Sequence, residues 1–162
     1  MKIAKEYIKC PRLYVEDDLE DSATISLSET QAHYLRNVLR KNEGDHLRLF
    51  NGRNGEWLGT IMRIAKKAVA VTIDQRLREQ KIPARRIHLY FAPIKKGRFD
   101  ILIEKAVELG ATDLHPVITQ NTENRKLNPD KIESWITEAA EQCERMDMPV
   151  LHKETDIKVL LR

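Results

Sequence analysis

The sequence predicts an α+β chain in two parts: a small β-barrel with one helix, then an α/β domain on a parallel sheet. Three observations predict it. Before residue 80, short alternating apolar runs are separated by tight-turn signals, as in small barrels. After residue 81, apolar runs alternate with helix-period stripes, the pattern of parallel strands joined by crossover helices. Between them, the 18 residues 81–98 carry six basic side chains and no acidic one. The pattern changes near residues 75–86. The expected organisation is an N-terminal extension over 1–10, the barrel over 11–80 and the α/β part over 81–162.

In the first part, residues 12–15 and 23–27 are short strand candidates. Ser28 caps a helix, with Gln31 three residues on completing a capping box. Gly44 ends it shortly after Lys41. Ala32, Leu35, Val38 and Leu39 make its apolar face, predicted to pack on the barrel. Residues 46–50 alternate, with Leu47 and Leu49 on one face. Asn51-Gly52 and Asn54-Gly55 supply the positive φ that a tight turn needs. Residues 56–64 and 68–74 continue the strands, turning at Lys66 and Lys67.

In the second part, residues 87–94 read as a buried strand. Phe99, Leu102, Ile103 and Ala106 share one face of a helix that Gly110 closes. Residues 114–119 make the next strand and 120–128 a polar loop. Asn128 caps a long helix with Pro129 at its first position. Ile132, Trp135, Ile136, Ala139, Ala140 and Cys143 form its apolar stripe, which places Cys143 in the core. Residues 149–151 make a third strand, and Asp156 caps a last helix over 157–161. That helix presents Ile157, Leu160 and Leu161, and leaving each exposed forfeits roughly 1.5–3 kcal/mol. A partner chain or further sequence is expected to cover them.

Composition excludes several classes. There are 28 Lys+Arg against 25 Asp+Glu, a net +3 that names no partner by itself. Two cysteines exclude a disulfide scaffold. No run of about 18 apolar residues offers a membrane span, and the opening residues lack the apolar core of a signal peptide. A soluble, cytoplasmic protein is expected. There is no P-loop, no Gly-rich dinucleotide fingerprint and no G-x-S-x-G elbow, so kinase, ordinary Rossmann and hydrolase readings have no support. His33, His46, His88, His115 and His152 show no ligand spacing with Cys10 or Cys143, and no metal site is expected.

Two constellations point to nucleic acid. His33, Arg36, Asn37 and Arg40 recur at i, i+3, i+4 and i+7 on the polar face of the first helix. Cations with an amide donor suit phosphate oxygens and groove edges; an ordinary solvated face has the same spacing. Lys95, Lys96 and Arg98 flank Gly97 between a strand and a helix, where positive side chains beside a helix N-terminus make an anion site. An exposed linker is the alternative. Glu104 and Glu108 lie four apart on one helix with Lys105 between them, a spacing shared by acid–base pairs and, more often, by surface helices. Glu138, Glu141, Gln142, Glu144 and Arg145 form the polar side of the next helix.

The order of short motifs is more specific than any one of them. Pro11-Arg12-Leu13-Tyr14 is followed by His33-x-x-Arg36-x-Val38-Leu39-Arg40, Gly44-Asp45 and Leu49-Phe50-Asn51-Gly52. Then come Lys96-Gly97-Arg98, the stretch 104–110, Pro116 with Thr119, and the stretch 138–145 followed by Pro149. This set, spanning Pro11 to about Leu151, resembles the RsmE-type family of bacterial 16S rRNA uracil-N3 methyltransferases. The resemblance implies a PUA-like RNA-binding barrel, a SPOUT-class methyltransferase domain, S-adenosylmethionine as cofactor and a homodimer acting on small-subunit rRNA.

It also implies site residues. Arg12, Arg36, Arg40, Lys95, Lys96 and Arg98 are expected at phosphates, and His33 and Asn37 at sugars or bases. Lys105, Glu108, Gln142 and Arg145 match family motif positions whose roles, helix packing, dimer contact or catalysis, stay open. Family members hold the cofactor in a C-terminal trefoil knot with a Gly-rich loop; this sequence lacks both, so no cofactor-binding residue is expected in it. Thr119-Gln120-Asn121 departs from the Ser/Thr-Glu-Arg that the family often carries there, with Arg125 nearby. The expected function is rRNA uracil-N3 methylation, with doubtful activity for this chain alone. The alternative is a non-catalytic RNA-binding module or a decayed fragment of that enzyme.

Overall fold

The computed structural model describes residues 5–95, 97–122 and 126–161. The chain divides into two compact units, Met1–Lys81 and Ile82–Arg162.

The first unit is a five-stranded sheet with one helix. Its strands are β1 (Arg12–Tyr14), β2 (Thr24–Leu27), β3 (His46–Phe50), β4 (Glu56–Ile64) and β5 (Val69–Arg78), ordered β1-β3-β4-β5-β2. β1 runs parallel to β3, and the other pairs are antiparallel. Among the described residues β1 and β2 do not pair, so the hydrogen-bonded path stays open where a closed barrel was one expectation. Leu13, Ile25, Leu47, Leu49, Val71 and Ile73 fill the core. Gly59 lets three strands approach: a Cβ there would stand 2.6 Å from Val71 Cγ1 and 3.0 Å from Leu49 Cδ1.

Both faces of β3 are covered, not only the Leu47–Leu49 face. Arg48 and Phe50 are buried on the other side. Arg48 donates from Nη2 to the Ile8 carbonyl (3.3 Å) and from Nε to the Cys10 carbonyl (3.4 Å), so the turn before Pro11 folds back over this strand.

Helix α1 (Glu29–His33) starts as its sequence dictates. Ser28 Oγ accepts from the Gln31 amide at 3.3 Å, and Gln31 Oε1 accepts from the Ser28 amide at 3.1 Å. It then widens. Over Tyr34–Val38 the chain makes a π turn, with the Leu39 amide donating to the Tyr34 carbonyl at 3.0 Å. The extra residue in this turn rotates the side chains beyond it. Ala32 and Leu35 remain buried, but Val38 is 59% exposed and does not join the core as its 3.6-residue spacing predicted. The stop differs too. Arg40 takes the left-handed conformation (φ 52) and the Lys41 amide closes onto the Leu35 carbonyl (2.9 Å), while Gly44 serves the later turn into β3.

The second unit carries β6 (His88–Phe91), α2 (Phe99–Glu108), β7 (Asp113–Ile118), α3 (Pro129–Gln142), β8 (Val150–Leu151), β9 (Thr155–Asp156) and α4 (Ile157–Leu160). β6, β7 and β8 form a parallel sheet in that order, and β9 pairs parallel with the later half of β7. The Phe99 ring of α2 meets Phe91 of the sheet (5.8 Å) and Trp135 of α3 (5.7 Å). Both crossover helices therefore serve the Phe91 face. Strand alternation sends His88, Tyr90, Asp113 and His115 to the other one.

That one-sidedness corrects the buried-strand reading of 87–94: Phe91 is buried, but Tyr90 is 54% exposed. Cys143 is a second correction. α3 ends at Gln142, Cys143 is its exposed C-cap residue, and the chain turns through Glu144 (φ 59) to bury Met146 instead. α4 begins at the Asp156 cap and leaves Leu160 and Leu161 exposed. Among the described residues, no helix is long and apolar enough to cross a membrane.

Candidate functional site

In the first unit, His33, Arg36, Asn37 and Arg40 all lie at the surface, on α1 and the turn after it. Arg36 Nε donates to Asn37 Oδ1 at 3.3 Å, which braces the two side chains against each other. The π turn adds Tyr34 and Val38 to this surface as exposed apolar groups. Cations beside a flat aromatic ring can bind a nucleotide strand through phosphates and by stacking.

Arg12 is not part of that surface. Its guanidinium is buried, donating from Nε to Glu56 Oε1 at 2.6 Å and lying 3.6 Å from the Phe50 ring centroid. Burial lowers its pKa, and the Glu56 partner opposes the shift. Glu56 is fully buried and is also met by Arg78 Nε and, at 3.7 Å, by Arg48 Nη1. The expected phosphate contact at Arg12 is thus replaced by an internal ion-pair cluster. Nothing local in Pro11-Arg12-Leu13-Tyr14 signals a partner 44 residues away.

In the second unit, Lys95 and Arg98 are exposed on either side of Gly97, just before α2; Lys96 lies outside the described residues. Arg86, from the same basic run, is engaged elsewhere. It donates to both oxygens of the fully buried Asp113 carboxylate, Nη2 to Oδ1 at 2.5 Å and Nε to Oδ2 at 3.1 Å.

Three of the family-motif positions, Lys105, Glu108 and Arg145, make contacts within this unit. Lys105 Nζ donates to Glu104 and Glu108, each at 2.8 Å. These bonds raise the Lys105 pKa and lower that of Glu104, which favours the charged form of each. Arg145 donates to the Val107 carbonyl at 2.9 Å and to Asp147 at 2.6 Å, tying the end of α2 to the segment after α3. Gln142 is the last residue of α3.

Two features of this unit were not visible in the sequence. An open groove of about 410 Å³ lies at the carboxyl ends of β6 and β7, lined by Tyr90, Phe91, Ala92, Val117, Thr119, Ile157 and Leu160. Ligands of open α/β sheets bind at the carboxyl ends of the strands. The second is a histidine cluster at the opposite, amino ends. His115 stacks between Tyr90 (4.4 Å) and His152 (4.0 Å), with His88 Nδ1 3.0 Å from His115 Nε2. Burial, then the neighbouring His152 and His88, lower the His115 pKa. Hydrogen bonds from Arg86, then His152 and Thr112, hold Asp113 well below the usual carboxylate range. The signal was strand register: Tyr90 pairs with His115, and Leu114 with Leu151, which puts His152 alongside.

Comparison with known proteins respects the same division. A family described as RNA methyltransferase PUA domain matches residues 27–74, and one described as RNA methyltransferase domain matches residues 80–162. Ribosomal RNA small subunit methyltransferase E of Rickettsia conorii is 33% identical over 156 residues, 96% of this chain and 64% of that protein. The protein of the same description from Synechocystis is 32% identical over 151 residues, 91% of this chain and 49% of that one. Among solved structures, a methyltransferase from Legionella pneumophila in complex with SAM has a TM-score of 0.85 at 29% identity, covering 95% of this chain and 66% of that one. Ribosomal RNA small subunit methyltransferase E from Neisseria gonorrhoeae, bound to S-adenosyl methionine, shares the fold with a TM-score of 0.81 at 24% identity, covering 94% of this chain and 65% of that one. The chain spans between about half and two thirds of the length of these relatives. With both units matched in order, the chain belongs to the RNA methyltransferase family of the ribosomal RNA small subunit methyltransferase E type.

Proposed function

We propose that this chain supplies the RNA-docking unit and part of the catalytic framework of an enzyme that methylates N3 of a uridine in 16S rRNA. The partner is the small-subunit rRNA or the subunit itself, in the cytoplasm, and the enzyme works as a homodimer. The observation that carries this reading is the exposed His33-Arg36-Asn37-Arg40 surface inside the stretch matched by an RNA methyltransferase PUA domain. Arg36 and Arg40 neutralise phosphates and set the register; His33 and Asn37 reach sugars or base edges. Lys95, Lys96 and Arg98 are further phosphate contacts in this reading. Arg12 is left out because it is buried on Glu56.

S-adenosylmethionine, when bound, supplies the sulfonium methyl that the uridine nitrogen accepts. The chemistry needs acceptor and methyl in line, water excluded and a route for the N3 proton. The groove at the ends of β6 and β7 offers apolar walls and the Thr119 hydroxyl. Among the described residues its lining has no carboxylate for a ribose diol or an amino group, and the six glycines of the sequence lie at residues 44–110, outside that lining. It fits one wall of a nucleoside site and not the whole of it, so no transfer step is assigned to residues of this chain. Mass spectrometry of 16S rRNA from cells lacking the encoding gene tests the function. The expected result is loss of N3-methyluridine, restored on complementation; an unchanged methylation pattern contradicts it. Calorimetry with S-adenosylmethionine tests the groove: micromolar binding by the 162-residue chain overturns the incomplete-site reading.

A further inference from the structure

We propose that His88, His115 and Asp113 form a site for one divalent first-row transition ion of the zinc type, at the amino ends of β6 and β7 on the sheet face opposite α2 and α3. His88 pairs with Asp113 and Tyr90 with His115, so alternation places His88, Asp113 and His115 on one face of two adjacent parallel strands. Strands about 4.8 Å apart bring side chains at such positions into ligand range without any loop to arrange them. One ligand atom from each of the three residues lies within 4.8 Å of the others.

The nitrogen pair fits a shared ion. Two nitrogens bound to one ion at about 2.0–2.1 Å in tetrahedral geometry stand about 3.3 Å apart. His88 Nδ1 and His115 Nε2 stand 3.0 Å apart. Two imidazoles and one carboxylate suit Zn²⁺, Co²⁺ or Ni²⁺ better than Mg²⁺ or Ca²⁺, which take oxygen ligands. The surroundings supply the outer contacts that ordered metal sites use. Thr112 Oγ1 donates to Asp113 Oδ2 at 2.8 Å, and His152 Nε2 meets Asp113 Oδ1 at 2.9 Å. His115 is fixed in orientation by stacking on His152 and Tyr90. Arg86 is the opposing group, because its charge sits on the same carboxylate. Its side chain is 69% exposed, so it can release Asp113 Oδ2 to solvent-side water while the ion takes its place. The site is open to solvent through His88, whose side chain is 41% exposed, which leaves a coordination position for water.

The experiment titrates the metal-free 162-residue chain with Co²⁺, followed by its visible absorption, and then displaces Co²⁺ with Zn²⁺. The expected result is one equivalent bound at micromolar or tighter affinity. His88→Ala and His115→Ala are each expected to weaken uptake at least tenfold, while His46→Gln leaves it unchanged. Circular dichroism checks that each variant is folded. Should His115→Ala not fold, the exposed His88 decides the matter alone. No saturable uptake, or uptake that survives His88→Ala, overturns the proposal.

Discussion

Among the described residues, each unit buries one carboxylate completely and surrounds it with basic side chains, yet the two are used differently. Glu56, at the start of β4, is enclosed by Arg12 and Arg48, whose side chains are 3% and 6% exposed. Asp113, at the start of β7, is held by Arg86, His88 and His152, whose side chains are 69%, 41% and 38% exposed. In the first unit two of the three guanidinium groups around Glu56 are themselves trapped and the third, Arg78, is 23% exposed, so the cluster is architecture. In the second the carboxylate is fixed but its partners can exchange with water, ligands or protons. A buried charge whose counter-ions face solvent is where a binding site can arise; one whose counter-ions are also buried holds strands together.

The two carboxylates are expected to differ most in what their removal costs. Glu56→Ala takes the shared carboxylate away from two buried guanidinium groups and is expected to cost about 3–5 kcal/mol. Each unit carries one tryptophan, Trp57 or Trp135. Urea unfolding followed by Trp57 fluorescence, in a Trp135→Phe background, measures the loss. Asp113→Asn is expected to cost less, about 1–3 kcal/mol, because Arg86 and His152 return to water. Trp135 fluorescence in a Trp57→Phe background reads it.

The same asymmetry predicts a pH response. Hydrogen bonds from Arg86, then His152 and Thr112, hold the Asp113 pKa below the usual carboxylate range, against the opposing effect of burial. A depressed folded value means the stabilisation is fully present above the unfolded value, about 3.9, and is lost as pH falls toward the folded one. The urea midpoint reported by Trp135 is expected to drop as pH is lowered below about 4, and the drop to flatten in Asp113→Asn. An equal drop in the variant assigns the acid response to other carboxylates.

The smallest effect on stability is expected at the cationic surface of the turn that follows α1. Arg36→Ala and Arg40→Ala are surface substitutions and should each change stability by less than about 0.5 kcal/mol. Their effect belongs to RNA.

Much of the fold was legible because it obeys local period. The bounds of β3 and β4, the capping box at Ser28 and the Asn128-Pro129 start of α3 all sit where the residues put them. The illegible parts depended on non-local partners or on one added residue. The π turn after His33 carries no composition signal, and it moved Val38 from core to surface. Arg12 reads as a surface cation until Glu56 arrives from β4. Likewise, His88 and His115 are 27 residues apart and become neighbours only through parallel register. The sequence shows which side chains are basic. Pairing decides which of them remain available.

RNA affinity across salt tests whether the first unit docks RNA through Arg36 and Arg40. Binding of a 16S rRNA fragment to the parent chain is measured from about 50 to 200 mM salt, alongside the Arg36→Ala/Arg40→Ala variant. The account predicts that log affinity falls linearly with log salt, and that the double variant binds at least tenfold more weakly with a slope shallower by about 1 to 2. Equal affinity and equal slope in the two proteins would contradict it.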